Sequence, residues 1–295
     1  ICMKRIILSL AVAAAAVTGA DAQLLWTVGG NGAAGTSYLF GTHHVAPVEM
    51  LDSLPGFNAA MASVDAVVGE IEMGKSSGEE AQAAMGRWCM APADSLLTMV
   101  LTPAQTDSVN ALMERYTDGM LANAVENMAM MKPAMLSTTI AVFQSAKAFP
   151  EFRPDAQLDA VIQQRALQQG KEVMALETYD EQFALLMGDP IARQVDKLMK
   201  QVREDGSPKG AEMAHRLADA YRRGDLGLIS SIMDDEDMMD PISRERLIDG
   251  RNRRWAELLP SIMAEKRILA SVGAGHLPGL IELLRGVGYE VSPVK

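Results

Sequence analysis

Ser37-Tyr38-Leu39-Phe40-Gly41-Thr42-His43-His44 and, near the far end of the chain, Arg267-Ile268-Leu269-Ala270-Ser271-Val272-Gly273-Ala274-Gly275-His276 share one design. Each is an apolar run of strand character that ends in a glycine, with a histidine three residues further on. A glycine at a strand end allows a tight backbone turn, and a histidine just beyond it points into the crevice where α/β folds bind ligands. One such histidine is better explained as a structural hydrogen-bonding residue. Two are harder to dismiss, because the sequence holds four histidines in all and three of them lie in these stretches. His43, next to His44, faces the opposite side if the strand continues and is the secondary candidate.

Working outward, Leu24-Leu25-Trp26-Thr27-Val28 and the glycine-rich segment through Gly35 complete a β-hairpin with Ser37–Phe40. Ala66-Val67-Val68-Gly69 reads as a short buried strand ending at Glu70, and Glu172 to Leu176 as another. From Glu79 to about Ala148, Ala, Met, Leu and Gln recur at helical spacing, with Thr102-Pro103 as a cap followed by a first-turn proline. Further helices are expected at Leu158–Gln169, Pro190–Arg203, Gly210–Arg223, Ser243–Glu265 and Leu280–Arg285, and a last strand near Tyr289–Val294. The fold class is therefore α/β: a central, mostly β-sheet core formed by the N- and C-terminal segments, with a largely helical middle. Residues 23–295 are expected to form a single domain with a helical insertion.

Met3-Lys4-Arg5, the apolar Ile6 to Val17 and the small-x-small Ala20-Asp21-Ala22 make residues 1–22 a signal peptide cleaved near Ala22, which predicts an exported, periplasmic protein. Ile1 and Cys2 read as an upstream extension. No later apolar run is long enough for a membrane span. The formal net charge of −11 becomes −12 when the net +1 of Lys4, Arg5 and Asp21 is lost, which argues against nucleic-acid binding. Cys89 then has no partner for an intrachain disulfide, so an apolar core must carry the stability.

Glu70 complements the two imidazoles as a metal ligand or as a base on water. Glu72 shares its face if the strand continues, giving a lesser two-carboxylate reading. Thr178 and Glu181 fit a capping box, which leaves Glu177 unexplained. Arg251-Asn252-Arg253-Arg254-Trp255 reads by default as a solvated basic run anchored by tryptophan. Asp234 to Asp237 and Asp240 form a solvated loop, since Met239 stands where a calcium loop of the EF-hand type needs glycine.

These motifs, with Leu25-Trp26, Val68-Gly69-Glu70, Leu158-Asp159, Ala175-Leu176-Glu177-Thr178, Gln182 and Val272-Gly273-Ala274-Gly275-His276-Leu277-Pro278-Gly279, resemble in order and spacing the TraB/GumN family, which includes the Tiki proteins. The resemblance implies a fold akin to erythromycin esterase and the ChaN haem-uptake proteins and, through the Tiki branch, metal-dependent peptidase activity. It also implies active-site positions at His44, Glu70 and His276, and a motif position for Arg251 and Asn252. His43 stands where the family more often has an aliphatic residue.

Three functions are then open. The first is a metal-dependent, peptidase-like hydrolase in which His44, His276 and Glu70 hold Mn, Co or Zn, Arg251 and Asn252 stabilise the oxyanion, and Glu177 orients a histidine. The second removes the metal, with His44 as general base, Glu70 orienting water and His276 or Arg251 stabilising charge. The third is a non-enzymatic pocket for haem, a metal ion or a peptide, drawing on Met128, Met130, Met131 and Met135. Methionines in Ala-rich helices are more simply core fillers. A peptide or protein substrate is the expected partner, and the oligomeric state is left open.

Overall fold

The computed structural model describes residues 23–236 and 238–294; the expected signal peptide and Asp237 of the acidic run lie outside them. Six strands form one mixed sheet: β1 (Leu25–Gly29), β2 (Ser37–Thr42), β3 (Ala66–Gly69), β4 (Glu172–Ala175), β5 (Ile268–Gly273) and β6 (Glu290–Pro293), in the order β4-β3-β5-β2-β1-β6. The expected hairpin forms, with Leu25 opposite Phe40 and Val28 opposite Ser37. β6 adds antiparallel to the outer side of β1, while β2, β5, β3 and β4 run parallel. The C-terminal β5 thus lies between β2 and β3, as a sheet built from both chain ends requires.

Val67, Val68, Leu39, Phe40, Leu269, Ala270 and Val272 are fully buried or nearly so. Parallel strands covered on both faces read as continuous apolar runs rather than alternating ones, which is why these segments were recognisable. Against the sheet pack the Leu158–Gln168, Gly250–Glu265 and Leu277–Gly286 helices, through Leu158, Ile162, Trp255, Leu259, Leu277 and Leu280. The helical middle carries a second apolar core around Leu112, Met113, Leu136, Ile140 and Leu198. Met128 packs against that core, whereas Met130 is 63% exposed, so the methionines do not converge as a group on one centre.

The helix-rich stretch from Glu79 breaks into Glu79–Trp88, Pro103–Tyr116 and Pro133–Ala148, with the single-turn helices Leu97–Val100 and Ala124–Asn127 in the connections. Thr102 closes a full capping box with Gln105. Helices at Phe57–Ser63 and Leu226–Met233 were not expected. The first follows Gly56 without a side-chain cap, behind prolines that read as loop. No helix among the described residues is long and apolar enough to cross a membrane.

Gly41 serves packing rather than backbone conformation. Its φ is not positive, and a Cβ there would lie 2.7 Å from Leu277 Cδ1 and 3.0 Å from Ala274 Cα. The end of β2 is thereby pressed against the turn that carries His276. Gly41→Ala should overpack this junction and lower stability by about 1–3 kcal/mol, read as a reduced urea midpoint with an unchanged m-value; an unaltered midpoint would show that the close approach is not needed.

Candidate functional site

The carboxyl ends of four parallel strands share one edge, since Thr42 pairs with Gly273 and Gly69 with both Ser271 and Ala175. Across that edge, following the strand order, come Glu177, Glu70, His276 and His44. Pairing continues past the β3 and β4 ends through Leu176 N to Gly69 O and Glu177 N to Glu70 O, both 2.9 Å, which sets the two glutamates side by side. Such an edge is where open α/β sheets bind ligands.

Arg251 reaches this edge because the chain makes one widened i→i+5 turn over Glu245–Asp249 before the Gly250–Glu265 helix. A turn of this kind rotates everything after it, and these turns are frequent at functional sites. The expected continuous helix from Ser243 is therefore interrupted. Arg251, with its side chain only 11% exposed, is no solvated charge. Its guanidinium lies 4.5 Å from the centroid of the fully buried Trp255 ring, and the His276 ring lies 4.5 Å from the same indole.

All five N–H donors of Arg251 are engaged. Nε donates to Glu177 Oε1 at 2.8 Å, and Nη2 to Glu177 Oε2 at 2.9 Å and to Glu70 Oε2. Nη1 serves Leu247 O at 3.3 Å and His276 Nε2 at 3.2 Å. The Asn252 amide donates to the His276 carbonyl at 3.2 Å and turns Oδ1 towards His276 Nδ1 at 2.8 Å. Nδ1 must then carry the proton, leaving Nε2 as the acceptor that Arg251 requires. Glu70 Oε1 accepts from the Gly273 amide at 2.8 Å, and Gln182 Nε2 stands 3.5 Å from Oε2.

The electrostatics follow from this wiring. Burial raises the Glu70 carboxyl, but Arg251 and the Gly273 amide outweigh it and hold the group below the usual carboxylate range. Burial drives His276 down to about 4; Glu70 opposes this and Arg251 adds to it. His43 is likewise lowered to about 4, by burial and then by His44.

Of the expected residues, the structure brings together Glu70, Glu177, Arg251, Asn252 and His276. His44 stands apart: it is exposed, and its side chain makes no hydrogen bond among the described residues. Its strand is two positions from that of Glu70, roughly 10 Å at ordinary strand spacing. Glu70 and His276 both turn to the guanidinium, and among the described residues no three His, Cys, Asp or Glu side chains form a group suited to a metal. An ion bound at His276 Nε2 would displace Arg251 Nη1 from it. Arg251 also has no spare N–H for an oxyanion. Glu72 pairs with Lys75, and Thr178 and Glu181 form the expected capping box.

One residue was matched in the sequence but given no role. Asp159 Oδ1 accepts from Thr42 Oγ1 at 3.0 Å and lies 3.4 Å from Ser271 Oγ, so it spans β2 and β5; its Oδ2 is buried with no partner. Burial raises its pKa and Glu70 adds to that, while His44 opposes. An aspartate in a first helical turn looks like a favourable dipole contact, so the only available signal was that the Leu158–Gln168 helix is not capped by it.

Acid should expose the two buried neutral imidazoles. Both have folded pKa values below their usual 6.5, so the unfolded chain binds more protons between 6.5 and 4 and stability falls as pH falls through that window. The loss is up to about 3 kcal/mol per histidine, partly offset by the raised Asp159. Urea midpoints at pH 7, 5.5 and 4.5 should decline for the wild type and decline less for His276→Gln. A flat profile would contradict the buried neutral assignment.

A model of the TraB/PrgY/gumN family matches residues 24–293. No curated protein and no solved structure matches the chain. The family match spans the hairpin that opens the sheet, the Glu70 and Glu177 strand ends, the Arg251-Asn252 turn and the His276 loop: the chain belongs to the TraB/PrgY/gumN family.

Proposed function

We propose that this protein is a hydrolase that adds water to an amide or ester carbonyl at the carboxyl edge of its parallel strands. The observation that carries the reading is the buried Glu70–Arg251–His276 unit, fixed from behind by Glu177 and Asn252, beside the unencumbered imidazole of His44. His44 is the general base: it takes a proton from water as the water oxygen bonds to the carbonyl carbon. The charge of Arg251 and the amide end of the Leu277–Gly286 helix favour the negative charge that develops on the carbonyl oxygen. On collapse the bond to the leaving amine or alkoxide breaks. The leaving group takes its proton from the His44 imidazolium, which returns the base to its starting state.

A divalent-ion reading, with Mn, Co or Zn, is the second. The unpartnered Asp159 Oδ2, in electrostatic reach of His44 and Glu70, favours it as a free oxygen donor. The pattern of residues 3–22 supports an exported, periplasmic setting, and the site at the parallel-strand edge supports kinship with the erythromycin-esterase and ChaN folds. One continuous domain over residues 23–295 and a peptide or protein substrate complete the proposal.

Tag-free protein should hydrolyse members of a panel of fluorogenic peptides and p-nitrophenyl esters. His44→Ala and Glu70→Gln should each lower kcat/KM by roughly 10²–10⁴-fold while circular dichroism stays unchanged. Full activity after chelation supports the metal-free reading, and loss restored by Mn(II), Co(II) or Zn(II) the second. No turnover of either substrate class, with or without added metal, would sink both.

A further inference from the structure

A cavity of about 380 Å³ opens on the flank of β2, walled by the residues that follow the strand, by the turn after the Pro133–Ala148 helix and by one face of the Pro208–Arg222 helix. Two ring pairs line it. His43 stacks on Tyr221 with centroids 5.2 Å apart and planes 28° apart, and Phe149 meets His215 edge-on, also at 5.2 Å. Tyr221 is pinned because its hydroxyl donates to Gly41 O at 2.9 Å, which ties this wall to the strand that carries His44. Ala218 lies one turn from His215 and one turn from Tyr221 on the same helix, so a small, buried side chain separates the two ring pairs.

We infer that this cavity is the specificity pocket of the site, taking an aromatic side chain of a peptide substrate whose carbonyl lies at His44. The inference rests on the hydrolase reading for the link to a substrate. The pocket itself stands on its own geometry. Its volume falls within the range of ordinary ligand pockets. Tyr221 is buried behind His43, so the ring surface left to a ligand is that of the half-buried Phe149 and the exposed His215, which meet edge-on. Arg222 and Glu151 both line the cavity, Arg222 in an exposed pair with Asp219 at 3.0 Å, so the charges of the lining oppose each other and do not select a charged side chain of either sign. His43 and Val45 line the cavity and flank His44 in the chain, so the pocket opens next to the segment that carries the proposed base.

The test is titration of the chain with N-acetyl-L-phenylalaninamide and N-acetyl-L-alaninamide, followed by calorimetry or NMR. The phenylalanine amide should bind at least tenfold more tightly, with shifts at Tyr221 and Phe149. Ala218→Leu fills the space between the ring pairs and should remove that preference. Melting by circular dichroism checks its fold, and Ala148→Leu narrows the same cavity from the opposite wall should Ala218→Leu not fold. Equal affinity for the two amides, or an unchanged preference in a folded variant, overturns the pocket. Selective aromatic binding with no hydrolysis of any peptide supports the pocket while removing the hydrolase reading. Hydrolysis with no preference for aromatic residues overturns the pocket and leaves that reading in place.

Discussion

A guanidinium has five N–H groups, and burying it is costly unless each finds an acceptor. Arg251 meets that condition with two carboxylates, an imidazole and a backbone carbonyl drawn from four separated parts of the chain. The requirement is reciprocal. Glu177, whose side chain is fully buried, is tolerated only because Arg251 and Arg254 lie against it. His276 accepts a bond at Nε2 only because Asn252 takes the proton side of the ring. Removing any one partner leaves a buried charge or a misdirected tautomer, so strand ends, widened turn and indole platform hold their positions together.

This arrangement changes what the arginine contributes. A guanidinium with free N–H groups would grip a substrate oxygen directly. Here every donor is committed, and what the residue does is hold Glu70 and His276 in place. The group that faces outward is His44, which is exposed and carries no side-chain hydrogen bond among the described residues.

Much of the edge was legible in the sequence because each member follows a continuous apolar run: Glu70 after Val67-Val68-Gly69, Glu177 after Val173 to Leu176, His276 after Ile268 to Val272. Burial on both faces of a parallel sheet writes such runs directly into composition. Arg251 was misplaced by default among solvated charges, because the extra residue in the Glu245–Asp249 turn rotates it inward and no periodicity announces such a turn. Asp159 was opaque for a different reason. Its significance comes from Thr42 and Ser271, hydroxyls on two strands far from it in sequence, and from an oxygen that nothing satisfies.

The position of β5 has a further consequence for how the molecule comes into being. Its neighbours β2 and β3 belong to the first quarter of the chain, yet they do not pair with each other and meet only across a strand from the last tenth. Closing contacts over so long a stretch is slow and costs chain entropy before any pairing rewards it. Until that final strand inserts, Glu70 lacks the Gly273 amide, and His276 has no place on the indole. The strand-end cluster and the completed sheet therefore arise in a single late event, and an unfinished chain carries the residues of the cluster without their arrangement.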